Sequence, residues 1–368
     1  MTQKTMTRTR STERSRYMEF AKLRSGAKYN LATSGVMNFP LADLPVKLEQ
    51  LEINGPTTYG YQPLQERLAK KSGVAPECVV ASQGTSMANH LALAALFEPG
   101  DEVLIEQPTY DLILSAVRYL GAEIKRFPRR FENDFRVDPE ELAKHVTSKT
   151  KLIVLCNLHN PSSALIDEET MRQVGEIAAS AGARVLVDEV YMEAVWDRPW
   201  RSSFHLGGNF VATTSLTKAY GLSGLRCGWI LAQPDLAERM WRLNDLFAAT
   251  PAHPAELLSV IALDNLEKPS ARAQMLLEQN RKALNAFLDS RDDLEVFRPG
   301  KGTTVFPRLK QGSVSELFRL LQDKYETSIV PGEYFEMPQH FRIGIGGEPE
   351  MTAIALSRLA AALDELHS

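Results

Sequence analysis

Lys218 lies in the run Ser215-Leu216-Thr217-Lys218-Ala219-Tyr220-Gly221-Leu222-Ser223-Gly224-Leu225-Arg226, between two stretches with strand character. A primary amine there can form an imine with an aldehyde, while the hydroxyls of Ser215 and Thr217 and the guanidinium of Arg226 offer donors for a phosphate. An exposed turn with one lysine and one arginine is the plainer alternative. Asp188 ends the apolar run Val185-Leu186-Val187 and is followed by Glu189-Val190-Tyr191. Ligands of open α/β sheets bind at the carboxyl ends of strands, so an acid in this place points toward a site. It could pair with a protonated ring nitrogen, and Tyr191 could hydrogen-bond an oxygen on the same ring. A helix N-cap for Asp188 and a half-buried core position for Tyr191 are the competing assignments.

Other segments carry weaker signals. Ser82-Gln83-Gly84-Thr85-Ser86 follows a strand pattern and precedes a helical one, so Gly84, Thr85 and Ser86 could cradle an anion at a helix N-terminus, or simply cap the helix. Pro108-Thr109-Tyr110 offers an aromatic face for a planar ring, or a packing tyrosine. Asn160, in Asn157-Leu158-His159-Asn160-Pro161, is held extended by the following proline and could present its amide to a ring oxygen; an ordinary Asn-Pro turn is the alternative. Arg342 is a lone charge in the apolar pattern Phe341-Arg342-Ile343-Gly344-Ile345. Its fork suits a bidentate grip on a substrate carboxylate, with a structural ion pair as the competing role.

The elements that must position these groups alternate. Strand-like runs at 78–81, 102–106, 122–127, 151–156, 184–188, 210–214 and 227–231 are separated by helical periods such as 87–96 and 168–181. This order predicts an α/β fold whose seven-stranded, mostly parallel sheet is covered on both faces. Past residue 250 the texture changes to a long helical stretch over 256–290, shorter strands, and a closing helix near 350–366, which predicts a smaller α+β domain. We divide the chain into a flexible tail (1–16), an N-terminal segment that packs with the small domain (17–47), a large domain (48–250) and a small domain (251–368).

The 368 residues are 44% hydrophobic with a formal net charge of −4, which gives no electrostatic reason to expect nucleic acid or an anionic membrane as partner. Three cysteines without a CxxC pair argue against a disulfide framework and for the cytoplasm. No apolar run approaches membrane-helix length. Residues 1–16 are basic and hydroxyl-rich like a transit peptide but lack an apolar helical face, so a solvated chain end is the expectation. No GxGxxG follows the early strands, which disfavours a dinucleotide-binding dehydrogenase. Cys156 and His159 lack the further ligands a metal site needs.

Taken together and in this order, the segments resemble the fold-type I pyridoxal-phosphate enzymes, the aspartate aminotransferase superfamily of class I/II aminotransferases, from about residue 30 to the end. Ser-x-Thr-Lys with Arg226 eight positions later is similar to the lysine loop of that family, and Asp-x-x-Tyr at 188–191 to its ring-contact motif. The resemblance implies a large pyridoxal-phosphate-binding domain and pyridoxal 5'-phosphate as cofactor, bound to Lys218 as a Schiff base and contacted by Gly84, Thr85, Ser86, Tyr110, Asn160, Asp188, Tyr191, Ser215, Thr217 and Arg226. It implies catalytic roles for Lys218, Asp188 and Tyr191, and substrate contacts from Arg342, Asn160 and Gly35. It further implies a homodimer with shared active sites, in which Tyr59, or alternatively Tyr61, reaches the neighbouring subunit's cofactor phosphate. Two departures stand out: Ser162-Ser163 replaces the Thr-Gly usual after Asn-Pro, and Glu333 and Tyr334 intervene between Val330-Pro331-Gly332 and Phe335. The implied reaction is ping-pong transamination between an L-amino acid and a 2-oxo acid, with a β-eliminating lyase as the second choice on the same residues. A silent regulatory relative would lack the lysine or carry an added DNA-binding domain, and neither is seen.

Overall fold

The computed structural model of the protein describes residues 14–196 and 200–367. The expected tail lies outside the described residues as far as residue 13. Its last residue is already helical: Arg16 opens helix α1 (Arg16–Leu23), and Ser15 caps it by accepting from the Met18 backbone N–H.

Seven strands form the central sheet: β1 (Val79–Gln83), β2 (Glu102–Gln107), β3 (Glu123–Pro128), β4 (Thr150–Cys156), β5 (Arg184–Asp188), β6 (Phe210–Ser215) and β7 (Cys227–Leu231). Their order is β1-β7-β6-β5-β4-β2-β3, and every pairing is parallel except the two made by β7. This confirms the predicted architecture. The central strands read as continuous β-branched and apolar runs because both faces are covered. In β4, Leu152, Val154 and Cys156 pack into one cluster with Leu91 and Ile113, while Ile153 and Leu155 pack into another with Val174 and Phe210. Each such side chain contributes about 2 kcal/mol by leaving water.

Direction matters more than order for function. Because only β7 runs backwards, the carboxyl ends of the other six strands and the amino end of β7 share one edge of the sheet. Gln83, Gln107, Cys156, Asp188 and Ser215 end their strands there, and Arg226 immediately precedes β7. Helix α2 (Gly84–Leu96) starts directly at the end of β1, so its free N–H groups face the same edge. Helices α3 (Asp111–Tyr119) and α4 (Glu168–Ser180) follow β2 and β4 in turn.

The single helical stretch predicted over 256–290 is two helices, His253–Leu263 and Glu267–Asp289. Asp264 closes the first, and Pro269 falls in the first turn of the second, where a missing N–H breaks no helical bond. Beyond them, Thr304–Val305, Phe341–Gly344 and Val330–Pro331 form a three-stranded antiparallel sheet, and Pro349–Leu366 is the closing helix. The N-terminal pair Tyr29–Asn30 runs parallel to Thr327–Ser328, which stitches the early chain to the late one. Among the described residues no helix is long and apolar enough to cross a membrane.

Candidate active site

The strand ends and α1 enclose a cavity of about 250 Å³. Lys218 enters it from the loop joining β6 to β7, a loop anchored at both ends in the sheet, since Leu216 N–H donates to the Cys227 carbonyl. The ammonium donates to Ser34 Oγ at 3.0 Å, and the Tyr191 hydroxyl donates to the same oxygen at 2.9 Å. Burial, aided by the Arg342 charge and opposed by the phenol of Tyr17, holds the Lys218 amine below its ordinary pKa. Burial likewise raises the Tyr191 phenol, which keeps it a hydrogen-bond donor. Gly35 is placed by the same contact. Its neighbour Val36 donates N–H to the Lys218 carbonyl at 2.8 Å, and a Cβ on Gly35 would sit 3.3 Å from Lys218 Cδ.

Asp188 forms the opposite wall. Its Oδ2 accepts from Asn89 Nδ2 at 2.7 Å and its Oδ1 from Val190 N–H at 3.1 Å, while burial pushes its pKa up to about 6 against those two donors. Asn89 is itself fixed by the Thr213 hydroxyl, which donates to its Oδ1.

At the other end lie hydroxyls and a guanidinium. Thr85 Oγ1 donates to Ser215 Oγ at 2.8 Å, Thr217 N–H reaches the same Oγ at 3.3 Å, and Ser86 and Arg226 line the cavity beside them. Arg226 donates to the Gln83 carbonyl at 3.3 Å. Two glycines let these pieces meet. Gly84 has φ +77°, and a Cβ there would lie 2.2 Å from Arg226 Nη2; a Cβ on Gly228 would lie 2.5 Å from the Gly84 carbonyl carbon. Gly228 has room only for bare backbone, and at Gly84 a side chain would be strained by the left-handed φ and would push Arg226 aside.

Tyr110 lines the cavity, with its ring edge-on to Tyr17 at 5.2 Å and its hydroxyl on Met18 Sδ at 3.3 Å. Asn160 is buried and gives its Oδ1 to Arg342 Nη1 at 2.9 Å. The loop that carries it is braced by His159, whose ring nitrogens contact Ser162 Oγ at 2.6 Å and the Pro108 carbonyl at 3.0 Å. Burial and the Arg129 charge keep His159 neutral, far below the usual histidine range. Ser162 therefore substitutes a histidine brace at the first departure noted in the sequence. Ser163, the other residue of that same departure, takes φ +59° and bonds Thr304 Oγ1. Arg342 is fully buried behind Asn160 and Tyr17. Tyr59 stands apart: it is 54% exposed and donates to Asp245 Oδ2 at 3.0 Å.

Three residues of the site were not singled out by the sequence. Asn89 falls one helical turn after Thr85 and Ser86, a spacing that puts it on the same face. Ser34 stands beside Gly35, for which the resemblance implies a substrate contact. Tyr17 carried no signal, because its partner is Arg342, most of the chain away.

The sequence pattern described as "Aminotransferase class I and II" matches residues 46–359. The chain belongs to this family. It is 29% identical to the arginine–pyruvate transaminase of Pseudomonas aeruginosa, over 94% of this chain and 93% of that one, and 28% identical to capreomycidine synthase of Streptomyces vinaceus, over 86% and 85%. The crystal structure of a pyridoxal-phosphate-dependent aminotransferase from Streptococcus suis superposes with a TM-score of 0.88 at 26% identity, covering 95% of this chain and 97% of that one. The protein is thus a pyridoxal-phosphate-dependent aminotransferase of class I/II with an aspartate-aminotransferase-like fold. The residues fit that cofactor: an acid at one end of the cavity, a hydroxyl, guanidinium and helix-N-terminus cradle at the other, and an amine of lowered pKa between them.

Proposed function

We propose that the protein transfers an amino group between an L-amino acid and a 2-oxo acid by a ping-pong mechanism. The observation that carries this reading is the convergence of Lys218, Asp188 and the Thr85–Ser215–Arg226 cradle on one cavity, with the buried Arg342–Asn160 pair beside it.

Bound pyridoxal 5'-phosphate supplies an aldehyde that condenses with amines and an electron-poor ring that takes up charge from the substrate α-carbon. Ser86, Ser215, Thr217, Arg226 and the N-terminus of α2 would hold its phosphate. Asp188 would face the ring nitrogen, its carboxylate kept ionised at neutral pH by Asn89 and Val190 N–H; Tyr191 and Asn160 would reach the ring oxygen, and Tyr110 the ring face. Lys218, once free, moves the α-proton: its lowered pKa leaves a larger neutral fraction to act as base. Arg342 and Asn160 grip the α-carboxylate, which fixes the α-carbon relative to Lys218 and favours proton removal over loss of the carboxylate.

A homodimer in which Tyr59 completes the partner's phosphate site agrees with the exposure of Tyr59 and Arg226 in the single chain. A reducing compartment such as the cytoplasm agrees with three buried free cysteines.

The test is a half-reaction. Incubated with an amino acid alone, the holoenzyme should release one oxo acid per active site and no ammonia, then regain activity on addition of an oxo acid, and Lys218→Ala should do neither. Sustained ammonia release from amino acid alone would replace transamination with elimination.

A further inference from the structure

The guanidinium of Arg342 is a buried charge with no carboxylate beside it among the described residues. Nη1 donates to Asn160 Oδ1, and Nη2 donates to both the Tyr17 hydroxyl and the Ala32 carbonyl, each at 2.9 Å. The rings of Tyr17 and Phe335 flank its carbon at 5.5 and 5.2 Å, and Nε has no hydrogen-bond partner among the described residues. A buried cation without a counterion is costly, so this arrangement favours the arrival of an anion. Yet a carboxylate cannot take it as it stands. A guanidinium offers two forks of parallel N–H groups, and Nη2 belongs to both. With Nη2 spent on Tyr17 and Ala32, neither fork is open. The Ala32 carbonyl is backbone held beside the Leu31–Ser328 bond, whereas the Tyr17 hydroxyl belongs to a side chain on an eight-residue helix near the chain's beginning.

We propose that Tyr17 holds the place of the substrate's α-carboxylate on Arg342, so that each substrate displaces the Tyr17 hydroxyl as it binds and α1 moves with it. This rests on the reading of Arg342 as the carboxylate receptor. Tyr17 suits the part because it is the acidic hydroxyl on that guanidinium. Burial raises its pKa, but the nearby charges of Arg342 and Lys218 outweigh burial and leave it below the ordinary phenol value. The carrier helix is anchored in its second turn by Phe20, buried against Tyr334 and Phe318, and in its first turn by polar contacts that can exchange. Asp111 Oδ2 accepts from Ser15 Oγ at 2.6 Å and from Tyr17 N–H at 3.3 Å, and Tyr110 touches Met18. Just past the helix, a Cβ added at Gly26 would meet nothing within 4 Å, while the preceding Ser25 carbonyl accepts from Ser328 Oγ at 2.7 Å and serves as the fixed point about which the helix turns. Met18 and Ala21 line the cavity from the same helix, so displacing Tyr17 reshapes the wall that meets the substrate's side chain. Tyr17 thereby sets substrate affinity.

The test uses holoenzyme and 4-methylpentanoate, a carboxylate with no amine to react, titrated by intrinsic fluorescence. Tyr17→Phe keeps the ring and removes the competing hydroxyl, so binding should tighten by about tenfold. Tryptic cleavage after the exposed Lys22 and Arg24 should accelerate in the parent protein when the carboxylate is added, and should be fast in Tyr17→Phe without it. Unchanged or weaker binding by Tyr17→Phe would overturn the proposal, since a tyrosine that donates to the carboxylate loses affinity when its hydroxyl goes. Arg342→Lys separates the two layers: binding undiminished in that variant would show that Arg342 is not the receptor, whatever Tyr17 does.

Discussion

Asn89 donates its side-chain amide to Asp188 Oδ2 at 2.7 Å, from a helix that begins at the hydroxyl and guanidinium end of the same cavity. One helix thus serves both ends of the site, with Thr85 and Ser86 in its first turn and Asn89 in its second. Asp188 is left ionised in a place where burial alone would protonate it.

Removing that donor has a signed consequence. A hydrogen bond to a carboxylate stabilises its charged form by about 1.5–3 kcal/mol, or about one to two pKa units. In Asn89→Ala the pKa of Asp188 should therefore climb from about 6. The acid limb of the pH–activity profile should move up by at least about one unit, with activity reduced at pH 7 and recovered toward pH 9. A profile that falls equally at every pH would mean that Asn89 only supports the fold.

Glu189 makes the opposite kind of statement. It is 3% exposed, its Oε1 accepts from Ser203 N–H and Oγ, and its Oε2 has no hydrogen-bond partner among the described residues; burial pushes its pKa up to about 7. A carboxyl whose folded pKa is raised adds stability that is complete below its unfolded value and is lost as pH rises through about 7. Glu189→Gln keeps the acceptor and has no proton to lose. Urea titration should show the variant more stable than the parent at pH 9, by on the order of 1–3 kcal/mol, with the difference gone at pH 5.

The glycine at the β1–α2 junction offers a test of the cradle. Gly84→Ala forces a side chain into Arg226 and a residue with Cβ into φ +77°. Cofactor affinity, followed by absorbance during dialysis and reconstitution, should fall by at least about tenfold, while the far-ultraviolet circular dichroism stays that of the parent. Retained affinity would remove Arg226 from the phosphate site.

At the ends of β2 and β4, Glu106 and Arg129 form a salt bridge of 2.7 Å with neither side chain exposed, and Glu106 also accepts from Cys156 N–H at 2.8 Å. Replacing one partner strands a buried charge. Arg129→Met alone should destabilise by about 3–5 kcal/mol, and adding Glu106→Leu should return much of it. Additive losses in the double variant would show that the two residues do not act as a pair.

What could be read from the sequence was what is local. The strands were visible because each is a short β-branched run buried on both faces, and the Lys218 loop because its chemistry lies within twelve consecutive residues. The predicted helix over 256–290 failed at Asp264, since periodicity alone does not register a turn between two helices of like composition. Tyr17, Ser34 and Asn89 were missed for a different reason. Each matters through one contact with a residue far along the chain, Arg342, Lys218 and Asp188 respectively, and no spacing rule spans such gaps.

The pairing of Tyr29–Asn30 with Thr327–Ser328 also bears on how the protein is made on the ribosome. The central sheet is complete once residue 231 has emerged, when the last strand, β7, pairs with the first, β1. The strand just ahead of Ser34 finds its partner only about three hundred residues later. A nascent chain therefore assembles the large sheet first and carries its own early segment unpaired until residue 328 has emerged. Only a chain that has been read past residue 328 can set Ser34 against Lys218.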